Sequence, residues 1–130
     1  MKLGNRELAL PLIQGGMGVG ISLSGLASAV ANEGGIGVIA GAMIGMLEPD
    51  VTKDPLGANI RALAREIKKA REKTKGIIGV NIMVALTTFA EMVRTSIEAK
   101  ADVIFSGAGL PMDLPKIFNE TCERKKEEFK

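Results

Sequence analysis

The chain has 130 residues, 46% of them hydrophobic, and its 17 basic and 15 acidic residues leave a net charge of +2. The net charge is small and the basic and acidic residues are interspersed, which excludes strong electrostatic binding to nucleic acid or to an anionic membrane. The sequence has no histidine and one cysteine, Cys122, which excludes histidine acid–base chemistry, an internal disulfide and a cysteine metal site within this chain. No apolar run reaches the ~18 residues of a membrane-spanning helix, and no signal region follows the N-terminus. We therefore expect a soluble, cytoplasmic protein.

The first apolar run, 8–13, predicts a β-strand, although Pro11 inside it favours an edge position. Glycine then fills four of the six positions 15–20. Such density at a strand end indicates either main chain that lies close to a flat or anionic ligand, or a tight βα turn that only needs freedom to bend. The spacing does not fit the dinucleotide-binding motif G-x-G-x-x-G, because the sixth place counted from Gly16 is Ile21.

The rest of the chain alternates short apolar runs with amphipathic stretches, which predicts parallel strands joined by helices. The further predicted strands are 36–40, 77–82 and 102–106. The predicted helices are 25–32, 54–73, 88–100 and a last one that begins near Asp113. The connection 41–52 is long and rich in glycine and methionine, which is typical of a functional or mobile loop or of a tolerated insertion.

Local signals predict how these helices begin and which faces they bury. The expected caps are Ser22 or Ser24 for the first helix, Asp54 before Pro55 for the second, and a Thr88–Glu91 capping box for the third. The expected apolar positions are Leu26, Ala29 and Val30 in the first helix, and Ile60, Leu63, Ala64 and Ile67 in the second. The charged residues of the second helix, Glu66 and Glu72 among them, are expected on its solvated face. The charged segment 120–130 is expected to fray.

Two features at strand ends are candidates for function. Asn81 interrupts an apolar strand near its carboxyl end, where α/β folds place their chemistry. Its amide needs a hydrogen-bond partner there, which is either a ligand or a neighbouring loop. Residues 107–109 form a second loop of bare backbone after the next strand. Four βα units in this order predict the first half of a (β/α)8 barrel, with its site at the carboxyl ends of the strands.

Four segments of the chain resemble the nitronate monooxygenase family, formerly called 2-nitropropane dioxygenase, which is related to flavin-dependent enoyl-acyl-carrier-protein reductases. These segments are 14–17, 34–39, 79–83 and 106–111. They follow the family's order and spacing. The resemblance implies a TIM barrel that binds FMN and oxidises alkyl nitronates with oxygen or, in the reductase branch, reduces enoyl thioesters with NADH.

The resemblance also implies roles for individual positions. Gly15, Gly16 and Met17 would contact the flavin ring through their main chain. Asn81 would form a side-chain hydrogen bond to the flavin, and Ser106 and Gly107 would border the pocket. It assigns no catalytic residue and no metal ligand to this chain, because the family's histidine and its phosphate-binding glycine loops lie in later strands. Family members are more than twice as long. We therefore expect a single partial domain over 1–130, family-like over 1–117, with a divergent charged helical tail over 118–130.

Three functions remain open at this stage: half of an FMN-dependent nitronate monooxygenase that is inactive alone, half of an enoyl reductase, or a non-catalytic, partner-dependent module. FMN binding is expected to be weak or absent without the second half. A half-barrel has open strand edges and an inner face without its opposite wall, here including Ile13, Val38, Val80 and Ile104 or their neighbours. We therefore expect a homo-oligomer or a complex with a complementary half-barrel chain.

Overall fold

The computed structural model describes residues 1–128, in which strands and helices alternate along the chain. The strands are β1 (Lys2–Leu3), β2 (Arg6–Glu7), β3 (Ile36–Ala40), β4 (Ile77–Met83) and β5 (Val103–Gly107). The helices are α1 (Ser24–Asn32), α2 (Pro55–Lys73), α3 (Phe89–Glu98) and α4 (Leu114–Glu128), with a short 3-10 helix at Ile44–Leu47. None of these helices is long and apolar enough to cross a bilayer.

A three-stranded parallel sheet in the order β3-β4-β5 organises the fold. Its strands confirm the predictions for 36–40, 77–82 and 102–106, and from α1 onward the predicted alternation of strands and helices is confirmed as well. The register sets Val38 opposite Gly79, and Asn81 opposite Phe105. Because side chains alternate along a strand, these residues share one face of the sheet. We call this the inner face, because the helices pack on the other one.

The helix-covered face carries most of the core. Ile39, Ile78, Val80 and Ile82 are buried there against α1, α2 and α3. Ile104 packs into the same cluster. The expectation for the inner face named Val80 and Ile104 or their neighbours, and the register directs the neighbours inward.

The predicted first strand is also wrong. Within residues 8–13 only Ile13 pairs with the sheet, through one isolated parallel bridge to Ile36. The Ile36 N–H donates to the Leu12 carbonyl, and the Gln14 N–H donates to the Ile36 carbonyl, before the chain leaves the sheet. Pro11 has no N–H to donate, which helps to keep the segment irregular.

An N-terminal hairpin covers part of the inner face, and the sequence did not reveal it. β1 and β2 pair around a turn in which Gly4 has a φ of +57°. The hairpin leads into Leu8, which is 3% exposed and packs with Ile36 and Val38. Two-residue strands are too short to produce a periodic pattern, so no sequence signal predicts them.

The faces of α1 differ from the prediction, because this helix lies unusually close to β3. A Cβ on Gly37 would lie 1.7 Å from the Ala27 carbonyl oxygen, so only a glycine fits beneath the helix. Small residues, Ala27 and Ala31, therefore face the sheet and are buried, while Leu26 is 46% exposed. Ala29 is exposed too.

Of the predicted caps, only the one on α2 is confirmed. The Asp54 carboxylate accepts from the Gly57 N–H at 2.9 Å, and Pro55 is the first helical residue. At the starts of α1 and α3 the cap residues Leu23 and Thr88 make no side-chain cap hydrogen bond. The Ser22 hydroxyl is instead committed to the sheet, where it donates to the Val38 carbonyl at 2.8 Å.

The charged tail does not fray over residues 120–128, because α4 packs on α3. Ile117 and Thr121 are 6% and 2% exposed. The Lys125 ammonium donates to the carbonyl oxygens of Ile97 and Glu98 at the end of α3, at 3.1 and 3.0 Å. A cation is favourable there, since the last carbonyls of a helix carry partial negative charge. The part of the prediction that concerns 129–130 lies outside the described residues.

Glu66 is buried, although its charge predicted a solvated position. It is 4% exposed, and its Oε2 accepts from the Ser24 hydroxyl at 2.6 Å and from the Ser24 N–H at 3.2 Å. Burial alone would raise the pKa of Glu66, but the hydrogen bonds from Ser24 and the ammonium of Lys69 outweigh it and hold the pKa below its usual range. The Glu66 carboxylate thus caps α1 from a distant helix.

We predict that Glu66→Gln lowers the free energy of unfolding at pH 7 by about 1.5–3 kcal/mol, the range for hydrogen bonds to a charged group. A carboxylate with a lowered folded-state pKa stabilises the protein above its unfolded pKa of about 4.3, and this contribution is lost as the pH falls through the folded value. The difference between the two proteins should therefore shrink below about pH 4. Urea titrations at both pH values measure it. Glu72→Gln, at an exposed position of the same helix, is the matched control, and equal losses in both variants would contradict the prediction.

Candidate functional site

Two adjoining cavities lie at the carboxyl end of the sheet, on its inner face. The first, of about 360 Å³, is lined by Gly16, Met17, Gly18, Val19, Ala40, Ala42, Asn81, Met83, Gly107 and Ala108. The second, of about 280 Å³, is lined by Ile13, Gln14, Gly15, Gly16, Val38, Asn81 and Phe105. They share Gly16 and Asn81, so these two residues stand at the centre of the candidate site. This is the end of a parallel sheet where α/β folds bind ligands.

Most of the residues that the sequence predicted for the site meet here. Gly16, Met17, Asn81 and Gly107 line the first cavity, and Gly15 lines the second. Ser106 lines neither of the two.

Ser106 lies on the other face of the sheet. The register pairs it with Ile82, whose side chain belongs to the helix-covered core. Its hydroxyl oxygen is buried and has no hydrogen-bond partner among the described residues. The alternation of side chains along β5 therefore separates Ser106 from the cavities, although Gly107, the next residue, reaches one of them.

Gly16 owes its identity to a close approach between main chain and sheet. A Cβ at this position would lie 2.5 Å from Val38 Cγ1 and 2.9 Å from Asn81 Cβ. The Gly16 carbonyl accepts from Asn81 Nδ2 at 2.7 Å. The loop that follows needs glycine for its backbone angles, since Gly18 and Gly20 have φ values of +85° and +75°.

The glycine segment offers hydrogen-bond donors that the protein does not use. Among the described residues, no acceptor bonds the backbone N–H groups of 15–20. Gly16 is buried, so its N–H is shielded from bulk water as well. A buried donor without a partner is costly. A ligand with carbonyl or ring-nitrogen acceptors would satisfy it.

Glu66 makes the start of α1 unfavourable for an anionic ligand. A helix that follows a glycine-rich loop commonly binds phosphate at its N-terminus. Here the Glu66 carboxylate already accepts from the N–H and the hydroxyl of Ser24 at that place. Of the two ligand types left open by the sequence, a flat uncharged group therefore fits the glycine segment better than a phosphate. The sequence could not indicate this, because Glu66 is 42 residues away from Ser24.

Gln14 is a residue of the site that sequence reasoning did not single out. Its side-chain amide bonds both backbone groups of Val38 and the hydroxyl of Ser22. The signal for Gln14 in the sequence is a polar residue between an apolar run and the glycines. Met83, at the end of β4, lines the first cavity and was likewise given no role.

Residues 3–124 match the family model described as nitronate monooxygenase. The chain belongs to the nitronate monooxygenase family. This is a family of flavin-dependent oxidoreductases. The match includes all the residues that line the two cavities.

Solved structures of related proteins support the same relationship. FabK from Thermotoga maritima is 28% identical with a TM-score of 0.66, and the match covers 88% of this chain and 32% of that chain. A single-residue mutant of that FabK gives the same identity and TM-score and is covered over 33% of its length. This nitronate monooxygenase family chain thus spans about a third of the length of both structures. Among curated proteins, none matches it at a significant level.

We predict that Gly16→Ala destabilises the protein by about 1–3 kcal/mol, the usual cost of forcing extra volume into a packed site. The added methyl group would collide with Val38 and Asn81. Gly15→Ala is the matched control, because a Cβ at Gly15 meets no atom within 4 Å. Urea denaturation of both variants tests the prediction, which fails if the two are equally stable.

Proposed function

We propose that this chain forms the ring-binding part of an FMN-dependent oxidoreductase of the nitronate monooxygenase type, as the first half of a (β/α)8 barrel. The observation that carries the proposal is the pair of cavities around Gly16 and Asn81 at the carboxyl end of the sheet. Family membership gives the reaction class. Alkyl nitronates are the proposed substrates.

The residues present fit a flavin ring in three respects. Gly15 and Gly16 allow a flat ring to lie against main chain, and the unpaired N–H of Gly16 can donate to it. Asn81 Nδ2 donates to the Gly16 carbonyl. No donor among the described residues bonds Asn81 Oδ1, so this oxygen can accept from a ring N–H. Gly107 leaves space, since a Cβ there would meet nothing within 4 Å. When bound, FMN would supply the redox chemistry, and the protein would position it and exclude water.

The enoyl reductase reaction is the second candidate, favoured by the likeness to FabK. The two reactions differ in their assays. Oxygen uptake that depends on an alkyl nitronate supports the monooxygenase, and NADH oxidation that depends on an enoyl thioester supports the reductase. This chain contains no histidine, so a histidine base would have to come from the rest of the barrel. We therefore expect neither activity from this chain alone, and turnover by the purified chain would contradict that expectation.

We predict that the chain binds riboflavin and FMN with similar affinity, because the start of α1 is occupied by Glu66 and offers no phosphate site. Fluorescence titrations should give dissociation constants within about threefold of each other, since a phosphate site gives a factor of ten for each ~1.4 kcal/mol that it contributes. FMN binding that is tenfold tighter or more would show a phosphate site in this chain. Of the two outcomes expected for a half-barrel alone, weak binding of both flavins supports the proposed function and absence of binding contradicts it.

A bulky side chain at Gly107 should block the first cavity without disturbing the fold. We predict that Gly107→Leu weakens riboflavin binding by about tenfold or more, equivalent to ~1.4 kcal/mol, with the unfolding midpoint retained. Gly25→Leu is the matched control, because Gly25 is exposed in α1 and its Cβ would also meet nothing within 4 Å. Equal affinities for the two variants would place the ligand elsewhere.

We further propose that two copies of the chain associate through the open sides of the half-barrel. Among the described strands β5 pairs on one side only, with β4. A groove of about 430 Å³ beside it is lined by apolar residues of α3 and α4 that include Ile97, Leu114 and Phe118. At the opposite side of the sheet Ile13 is 45% exposed. A two-fold axis would place the β5 side of one copy against the Ile13 side of the second copy, and the reverse, so that both open sides are buried.

Sedimentation at micromolar concentration tests this association. We predict a dimer for the unsubstituted chain and a shift toward monomer for Phe118→Lys, because Phe118 is 50% exposed and lines the groove. Leu56→Lys is the control, at a 41% exposed position of α2 outside the groove. A monomer that unfolds cooperatively would contradict the proposal. A heterodimer formed only with a complementary half-barrel chain would replace the second copy as the partner.

A further inference from the structure

The side chain of Gln14 takes the place of a peptide group in the sheet. The Gln14 N–H donates to the Ile36 carbonyl at 3.0 Å, as in a parallel ladder. In a regular ladder the next bonds would join the Gln14 carbonyl to the Val38 N–H, and the N–H of Gly16 to the Val38 carbonyl. Instead, the Val38 N–H donates to Gln14 Oε1 at 3.1 Å, and Gln14 Nε2 donates to the Val38 carbonyl at 3.3 Å. The ladder therefore continues through a side chain.

Ser22, at the other end of the glycine segment, adds a side-chain hydrogen bond to those that the Gln14 amide makes with Val38. Its hydroxyl donates to the Val38 carbonyl at 2.8 Å and accepts from Gln14 Nε2. Val38 is 1% exposed, so bulk water cannot supply these bonds in their place. Without the Gln14 amide, the buried N–H of Val38 would lose its acceptor, which is costly.

The consequence is that the main chain leaves the sheet at Gly15. Gly16 lies over Val38 and Asn81 rather than beside β3, and its carbonyl is held by Asn81 Nδ2. The Gly16 N–H, which in a regular strand would donate to the Val38 carbonyl, makes no hydrogen bond to the described residues. The Gly16 N–H is thus a donor that Gln14 has released from the sheet.

We propose that Gln14 is a positioning residue, which holds the glycine segment away from β3 and so keeps its N–H groups available to the ligand. The identity of that ligand as a flavin rests on the proposed function. Replacement of Gln14 by a side chain without an amide leaves the Val38 N–H without its acceptor, and the Val38 carbonyl keeps the Ser22 hydroxyl as a donor. The glycine segment then pairs with β3 like an ordinary strand, and the second cavity closes.

The first experiment needs no ligand. It compares amide hydrogen exchange in the unsubstituted protein, in Gln14→Leu and in Asp102→Asn. Asp102 is a buried side chain at the start of β5, at the opposite end of the sheet, where its carboxylate accepts from the Ile78 N–H. In Gln14→Leu we expect the exchange rate of the Val38 amide, measured relative to the slowest core amides, to change by about tenfold. We also expect the Gly16 amide to become protected from exchange. Asp102→Asn should lower overall stability without either local effect.

The second experiment titrates the same proteins, and Gln14→Glu, with riboflavin. At pH 8 the carboxylate of Gln14→Glu can accept from Val38 but cannot donate to it, so we expect affinity to fall by about tenfold or more. At pH 5 partial protonation restores a donor, and affinity should recover relative to the unsubstituted protein at the same pH. Gln14→Leu should bind weakly at both pH values. Asp102→Asn should bind like the unsubstituted protein while it is folded.

The two experiments separate the possible failures. If the unsubstituted chain binds no riboflavin, the proposed function is wrong, and the exchange rates of Val38 and Gly16 alone decide the role of Gln14. Unchanged exchange at both amides in Gln14→Leu overturns the inference. Normal riboflavin affinity in Gln14→Leu, with altered exchange at Val38, also overturns it, because Gln14 would then only support the sheet.

Discussion

The contact of Gly16 with Val38 and Asn81 is the constraint on which the candidate site depends. With a Cβ 2.5 Å from Val38 Cγ1 and 2.9 Å from Asn81 Cβ, no other residue fits there unless these side chains shift. The contact brings main chain, rather than side chain, to the carboxyl ends of β3 and β4. It also gives Asn81 a partner inside the protein, which fixes the orientation of its amide. The two cavities exist because the chain crosses the sheet at this glycine instead of pairing along β3.

Glu66 decides what the same loop cannot do. A glycine-rich loop before a helix is a common phosphate site, because the first N–H groups of the helix are unpaired. In this protein a buried carboxylate, that of Glu66, accepts from one of those N–H groups, that of Ser24, and from the Ser24 hydroxyl. The lowered pKa of Glu66 means that it stays charged at neutral pH. The negative charge of Glu66 repels a phosphate from the place where one would otherwise bind. The loop is thereby left to main-chain contact with an uncharged part of a ligand.

The sequence predicted elements that form by local rules and missed those that depend on distant contacts. The strand 77–82 and the cap at Asp54 follow from patterns within a few residues, and both are confirmed. The face of α1 depends on Gly37, a residue of the next strand, and the burial of Glu66 depends on Ser24 in another helix. The expectation that the strand ends lie close together agrees with Asn81 and Gly107 lining one cavity. The resemblance, which implies Ser106 beside Gly107, could not separate the two, because a shift of one position along a strand changes the face.

The two faces of the sheet differ in what they contribute. The helix-covered face holds the large buried side chains and accounts for most of the hydrophobic stabilisation. The inner face is closed at its amino end by the hairpin, with Leu8 packed on Val38 and with Arg6 paired to the buried carboxylate of Asp102. Towards its carboxyl end the inner face carries Asn81, Met83 and Phe105, and the two cavities lie between these side chains and the glycine segment. The packed amino end of the inner face and the candidate site therefore occupy opposite ends of one surface.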